Sequence, residues 1–160
     1  MWVSFFESVK YTGHLFPISF LRIFLGALYF QQGLEKLNGD FLTRPRLAEQ
    51  ISNWLPASSA PAWYKYFIGN QIIPHWQTAA FIILGLELAI GISYILGYVV
   101  RPMALVAVLL CFNLIFFYGP ASEELLKIFV AVHFVLAWVG AGRCLGFDYY
   151  FFKRRRGIWW

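Results

Sequence analysis

Four stretches of this sequence are almost purely apolar: Leu15–Leu34, Thr78–Val100, Pro102–Tyr118 and Leu125–Ala141. Each holds roughly the 17–25 residues that cross about 30 Å of hydrocarbon as a helix. Barrel strands fit poorly, because they need polar residues at alternate positions and these stretches have almost none. The chain has 160 residues, of which 60% are hydrophobic, 21% aromatic and only 13% charged. A soluble domain carries about 25% charged residues, so this chain cannot cover a water-facing surface. Disorder is excluded on the same ground, and an ordinary soluble enzyme is disfavoured. The expected fold is an all-α integral membrane four-helix bundle with spans at 15–37, 76–99, 101–118 and 123–141. It forms a single domain over 1–160, with a helical outer cap at 43–73.

The cap is expected from Leu47, Ile51, Trp54 and Leu55 at helical spacing, between Pro45 as a helix start and Pro56 as its end. Trp63-Tyr64-Lys65-Tyr66-Phe67 follows, too short to span but rich in rings that favour a membrane interface. Spans two and three are joined by little more than Gly97–Pro102, which predicts a tight antiparallel hairpin. Ser122, ahead of Glu123 and Glu124, is the expected N-cap of span four. Ser4 and Glu7 suggest a short interfacial helix before Pro17.

The formal net charge is +5, and four of the 13 Lys and Arg sit near the end, at Lys153, Arg154, Arg155 and Arg156 beside Phe151, Phe152, Trp159 and Trp160. A basic run next to rings is a membrane anchor rather than a nucleic-acid face. With both termini inside, Lys10, Arg101, Arg143 and the tail lie on one side, and Lys36, Arg44, Arg46, Lys65 and Lys127 on the other. That excess predicts cytoplasmic termini, in a bacterial or archaeal cytoplasmic membrane. Membrane lipids and other subunits of a membrane complex are the expected partners, and nucleic acid is not.

Ionisable side chains within a bilayer are expensive, so each needs a partner or a task. Glu87 falls near the middle of span two, Arg22 about five residues beyond Pro17 in span one, His133 at the centre of span four, and Asn113 in span three with Cys111 close by. Arg22, Gly26, Tyr29, Gly33 and Lys36 advance by 4, 3, 4 and 3, one stripe of a helix. Leu84, Glu87, Gly91 and Tyr94 form the matching stripe, and the glycines let two helices approach closely. These stripes predict an Arg22–Glu87 ion pair inside the bundle. The alternatives for that pair are a register clamp without chemistry, or a proton-handling group in a quinone or substrate pocket. Glu87, Arg22 and His133 are the candidate catalytic residues, and Tyr29, Gln31 and Asn113 the candidate ligand-binding ones. Lys36 and Glu35 are expected to snorkel at the outer mouth, and Cys111 to be an inert apolar side chain. Cys111 and Cys144 form no C-x-x-C pair, and no metal-ligand cluster is present. Haem is disfavoured, since only His133 is central while His14 and His75 lie at opposite ends.

The sequence Leu21-Arg22-Ile23-Phe24-Leu25-Gly26, with Gly33 and Glu35-Lys36-Leu37 after it, resembles the first-helix signature of the DoxX/DoxD membrane-protein family. Glu87-Leu88-Ala89-Ile90-Gly91 with Leu96-Gly97 and Arg101 resembles its second helix and inner turn. The run from Gly140 to Asp148 resembles its closing G-x-G-R…D element, and Pro61-Ala62-Trp63-Tyr64 the outer segment of its longer members. The resemblance implies a four-helix membrane bundle. Founding members are described as small subunits of a thiosulfate:quinone oxidoreductase, also labelled terminal quinol oxidase. It thus implies an oxidoreductase subunit in quinone-linked electron transport, with quinone or lipid as ligand and no covalently bound cofactor. The alternative is a non-catalytic accessory or anchor subunit of a larger complex. Arg101, Arg143 and Asp148 match charged family positions, and Asp148, the one acid near both arginines, is expected to form a structural ion pair with either.

Overall fold

A computed structural model describes residues 13–117 and 120–154, with the side chains of all these except 117, 120 and 121. The described residues are helical, with no strand among them. After a 3-10 turn at Gly13–Leu15 come α1 (Phe16–Asn38), α2 (Arg46–Trp54), α3 (Ala62–Phe67), α4 (Trp76–Leu96), α5 (Val100–Phe117), α6 (Pro120–Val139) and α7 (Asp148–Arg154). A wide turn, Ile68–Ile72, extends α3, and a 3-10 turn, Ala141–Arg143, precedes α7. The expected interfacial helix at Ser4 and Glu7, and Lys10, Arg155, Arg156, Trp159 and Trp160, lie outside the described residues.

α1 and α4 pack antiparallel along their glycine stripes. A Cβ on Gly26 would lie 2.8 Å from the Tyr94 Cβ, one on Gly33 2.6 Å from Leu88, and one on Gly91 2.8 Å from the backbone nitrogen of Phe30. The glycines are therefore where the two backbones come closest. They also set the register: Gly26 lies beside Tyr94 and Ile95, Phe30 beside Gly91, and Gly33 beside Leu88. Extended to the ends, that register puts Arg22 opposite Gly97 and Lys36 near Glu87. The expected Arg22–Glu87 pair is therefore wrong. Glu87 faces a level of α1 about twelve residues, or roughly 18 Å, beyond Arg22.

α5 and α6 make the second close pair, and α4 and α5 form the expected hairpin. Gly97 ends α4 in the left-handed conformation at φ +65°, which glycine adopts without strain. Leu25, Ile90, Tyr94, Val100, Ala104, Ala107 and Leu136 pack as the core between the pairs. α6 starts at Pro120, not at Ser122, because the fixed φ of proline suits the first helical turn.

The cap is helical, as its pattern predicts. Leu47, Ile51 and Leu55 are buried with Ile68 and Ala80, covering the start of α4, while Trp54 of the same helix stays exposed. Gly13–Asn38 and Trp76–Leu96 are long and apolar enough to cross a membrane, and Val100–Phe116 is a shorter apolar helix. Large apolar side chains face outward on all four long helices, among them Phe20, Phe24, Phe81, Ile82, Leu105, Leu109, Ile128 and Trp138.

Candidate functional site

Near the cap end, a partly open cavity of about 490 Å³ is walled by α1, α4, α5, α6 and the cap. Leu25, Leu28, Leu114, Leu126 and Phe129 supply apolar surface, and Tyr29, Gln32, Glu35, Lys36, Glu87 and Cys111 supply polar groups. Lys36 Nζ donates to Glu87 Oε1 in an ion pair whose carboxylate is 2% exposed. The second oxygen, Glu87 Oε2, is buried and has no hydrogen-bond partner among the described residues. Lys36 also lies over the Phe41 ring, 5.3 Å from its centroid. The lysine stem reaches inward from the end of α1 because the antiparallel register sets Glu87 within its length.

From the cavity wall a chain of hydrogen bonds leads into the core. Tyr29 Oη lies 3.2 Å from Cys111 Sγ and 2.9 Å from His133 Nε2. His133 Nδ1 lies 2.8 Å from Tyr94 Oη. Tyr94 and His133 are fully buried. Three helices thus meet at one imidazole, with α1 and α4 each contributing a phenol.

The opposite end is held by Arg22, which is also fully buried. Its Nη1 donates to the carbonyls of Ala141 at 2.9 Å and Cys144 at 3.4 Å, and its Nη2 to that of Leu145 at 2.9 Å. Ser19 Oγ donates to the Ala141 carbonyl as well. The guanidinium fork thus gathers the chain that follows α6, where no helix ladder satisfies those carbonyls. Asp148 supplies the complementary cap. Its Oδ1 accepts from the Val99 N–H at 2.7 Å and its Oδ2 from the Val100 N–H at 3.0 Å, the open donors at the start of α5. Burial pushes the Asp148 carboxyl above the usual carboxylate range, while the two N–H donors and the charges of Arg22 and Arg101 oppose that shift.

The sequence profile of the DoxX family matches residues 18–120. The chain belongs to the DoxX family. No curated protein and no solved structure matches it significantly. The matched stretch holds both glycine stripes, the Lys36–Glu87 pair, Tyr29, Tyr94 and Cys111. The DoxX match stops before His133 and the Gly140–Asp148 element.

In this DoxX chain, Tyr29, Glu87 and His133 come together, with Lys36 and Tyr94, which the sequence did not single out as partners. Lys36 belongs to the site rather than snorkelling, and Cys111 sits at the cavity wall within reach of a phenol. Tyr94 was legible as a member of the buried stripe, although nothing in sequence gave its imidazole partner. Arg22 stands apart, in the carbonyl cage at the other end. Gln31 is exposed and donates to Glu35 Oε1, leaving Gln32 at the cavity. Asn113 is exposed too; its Oδ1 accepts from Tyr64 Oη at 2.8 Å and ties the cap to α5. Burial pushes the Tyr64 phenol up to about 12, so it keeps the proton that it donates. Asp148 directs its two oxygens at the Val99 and Val100 N–H groups, and the charges of Arg101 and Arg143 interact with it electrostatically. Arg101 Nη2 also reaches the Trp138 carbonyl at 3.5 Å, and the Arg143 guanidinium lies 4.0 Å from the centroid of the Phe152 ring.

Proposed function

We propose that all four long helices cross the bilayer and that the chain serves quinone-linked redox chemistry as a membrane subunit, with the Lys36–Glu87–Tyr29 cavity as its ligand site. The many large apolar side chains exposed on α1, α4, α5 and α6 support four spans, since a water-soluble surface rarely carries so many. In this reading the Arg22–Asp148 end and both termini face the cytoplasm of a bacterial or archaeal cell, an orientation that the lysine and arginine placement supports.

The observation that carries the site is the open cavity beside the buried ion pair. An interior packed shut around Glu87 would leave it a register clamp. A cavity in the 300–1,000 Å³ range, mostly apolar with a few converging polar groups, suits a small molecule instead. The residues fit a quinone ring. The Lys36 ammonium, the Tyr29 phenol and the Gln32 amide are donors for its carbonyl oxygens, and Leu25, Leu28 and Phe129 are apolar walls for its faces. A bound quinone supplies the electron-accepting chemistry. The chain's own groups bind and orient it, with Glu87 holding the ammonium in place.

The test uses the full chain in lipid nanodiscs, titrated with a short-chain benzoquinone. Glu87→Gln and Lys36→Met are each expected to weaken binding about tenfold, near 1.4 kcal/mol. Affinity unchanged in both variants contradicts the site. A second reading, the accessory subunit, draws on Phe134 and Trp138, which stack on each other while exposed on α6 and offer a face to a partner helix. Under that reading Glu87→Gln lowers the amount of assembled complex while activity per complex stays constant.

A further inference from the structure

We propose that Tyr94 and His133 act as positioning residues that fix Tyr29 as a hydrogen-bond donor toward the cavity, so that the site selects a ligand presenting a carbonyl oxygen. The inference deepens the quinone reading and rests on it for the ligand, although its proton arrangement stands independently.

A neutral imidazole carries one N–H, so the bonds through His133 run in one of two directions. In the first, Tyr94 O–H donates to His133 Nδ1, Nε2–H donates to the Tyr29 oxygen, and Tyr29 O–H points at Cys111 Sγ. In the second every bond is reversed: Cys111 S–H donates to Tyr29, Tyr29 to Nε2, and Nδ1–H to Tyr94. Both make three hydrogen bonds, and they differ in the proton left over. The second strands the Tyr94 O–H in a fully buried position, where His133 is its one hydrogen-bond partner among the described residues. The first strands only a thiol S–H, a weak donor that loses little when unpaired. An unpaired buried hydroxyl is the more expensive of the two. The first arrangement therefore holds, with the proton on Nε2.

The consequence appears at the cavity. Tyr29 O–H faces a thiol sulfur, a weak acceptor, at the wall of an open pocket. A carbonyl oxygen entering there is a better acceptor and takes the phenol proton bond from sulfur. A ligand hydroxyl meets an oxygen whose acceptor site is already filled by Nε2–H, so it gains less.

Nitrogen-15 NMR of histidine-labelled full chain in nanodiscs, assigned by loss of the signal in His133→Gln, reads the tautomer directly. The expected result is a protonated Nε2 and a bare Nδ1 in the unaltered protein, and a mixture of tautomers in Tyr94→Phe. A protonated Nδ1 in the unaltered protein overturns the proposal, as does a tautomer unmoved by Tyr94→Phe. Tyr29→Phe is expected to lose about tenfold in affinity for a short-chain benzoquinone and under about threefold for its hydroquinone; equal losses overturn the selectivity. If the unaltered chain binds neither probe, the quinone reading and this selectivity fail together, and the NMR result alone decides the role of Tyr94 and His133.

Discussion

Arg22 and Asp148 show how single side chains hold a helical bundle together where backbone hydrogen bonding runs out. Arg22 serves three carbonyls from one fork, and Asp148 serves two backbone donors from one carboxylate. Two residues of this region have positive φ without being glycine, Val99 at 55° and Leu145 at 52°. Val99 is β-branched, so that conformation is strained, and the bond from its N–H to Asp148 helps hold it. Asp148→Asn retains one acceptor and turns an amide donor toward a second N–H. It is expected to cost about 1–3 kcal/mol, read as a lower midpoint of thermal unfolding. Arg22→Lys keeps the charge yet loses the fork, and a loss of similar size, about 1–3 kcal/mol, is expected in the same assay. Retention of full stability by both variants contradicts the caging role. The charge of Arg22 and its depth were legible in sequence. Its partners were not, because backbone carbonyls leave no trace in residue identity.

At the scale of elements, the glycine stripes decide which charges meet. The spacing of Gly26, Gly33 and Gly91 shows that α1 and α4 have narrow faces, but spacing within one helix carries no information on register between two. Depth counted from each helix's own ends brought Arg22 and Glu87 together. The observed register separates them and gives Glu87 to Lys36. Gly91→Ala sets a methyl against the Phe30 backbone, and Gly26→Ala sets one 2.9 Å from the Ile95 backbone nitrogen. Neither contact is a flexible side-chain tip. Each substitution is expected to destabilise by about 1–3 kcal/mol through overpacking. Both should also shift the reactivity of a cysteine introduced at Gln32, as the cavity changes shape. The cap was readable from Leu47, Ile51 and Leu55, since a soluble-style amphipathic pattern survives there. Its tether, Tyr64 to Asn113, joins two polar residues far apart in sequence and could not be anticipated. Tyr64→Phe is expected to leave the fold intact while raising hydrogen exchange in α2 and α3.

For the whole molecule, the sequence conveyed the helical architecture and the membrane character, because apolar length is a property of each segment alone. The candidate site was half legible: Tyr29, Glu87 and His133 stood out as polar groups in apolar helices, whereas Lys36, Cys111 and Tyr94 gain their meaning from packing. The molecule now divides into a cap end with an open cavity and a tightly bonded end around Arg22 and Asp148, a division that suits ligand entry at one end over a fixed base. The most direct test of that division is photo-crosslinking of the full chain in nanodiscs with an aryl-azide benzoquinone, followed by mass-spectrometric mapping. Label competed away by unmodified benzoquinone is expected in peptides covering residues 25–36 and 111–129. Competed label concentrated at 97–101 and 140–148 instead, or none anywhere, contradicts a ligand site at the Lys36–Glu87 cavity.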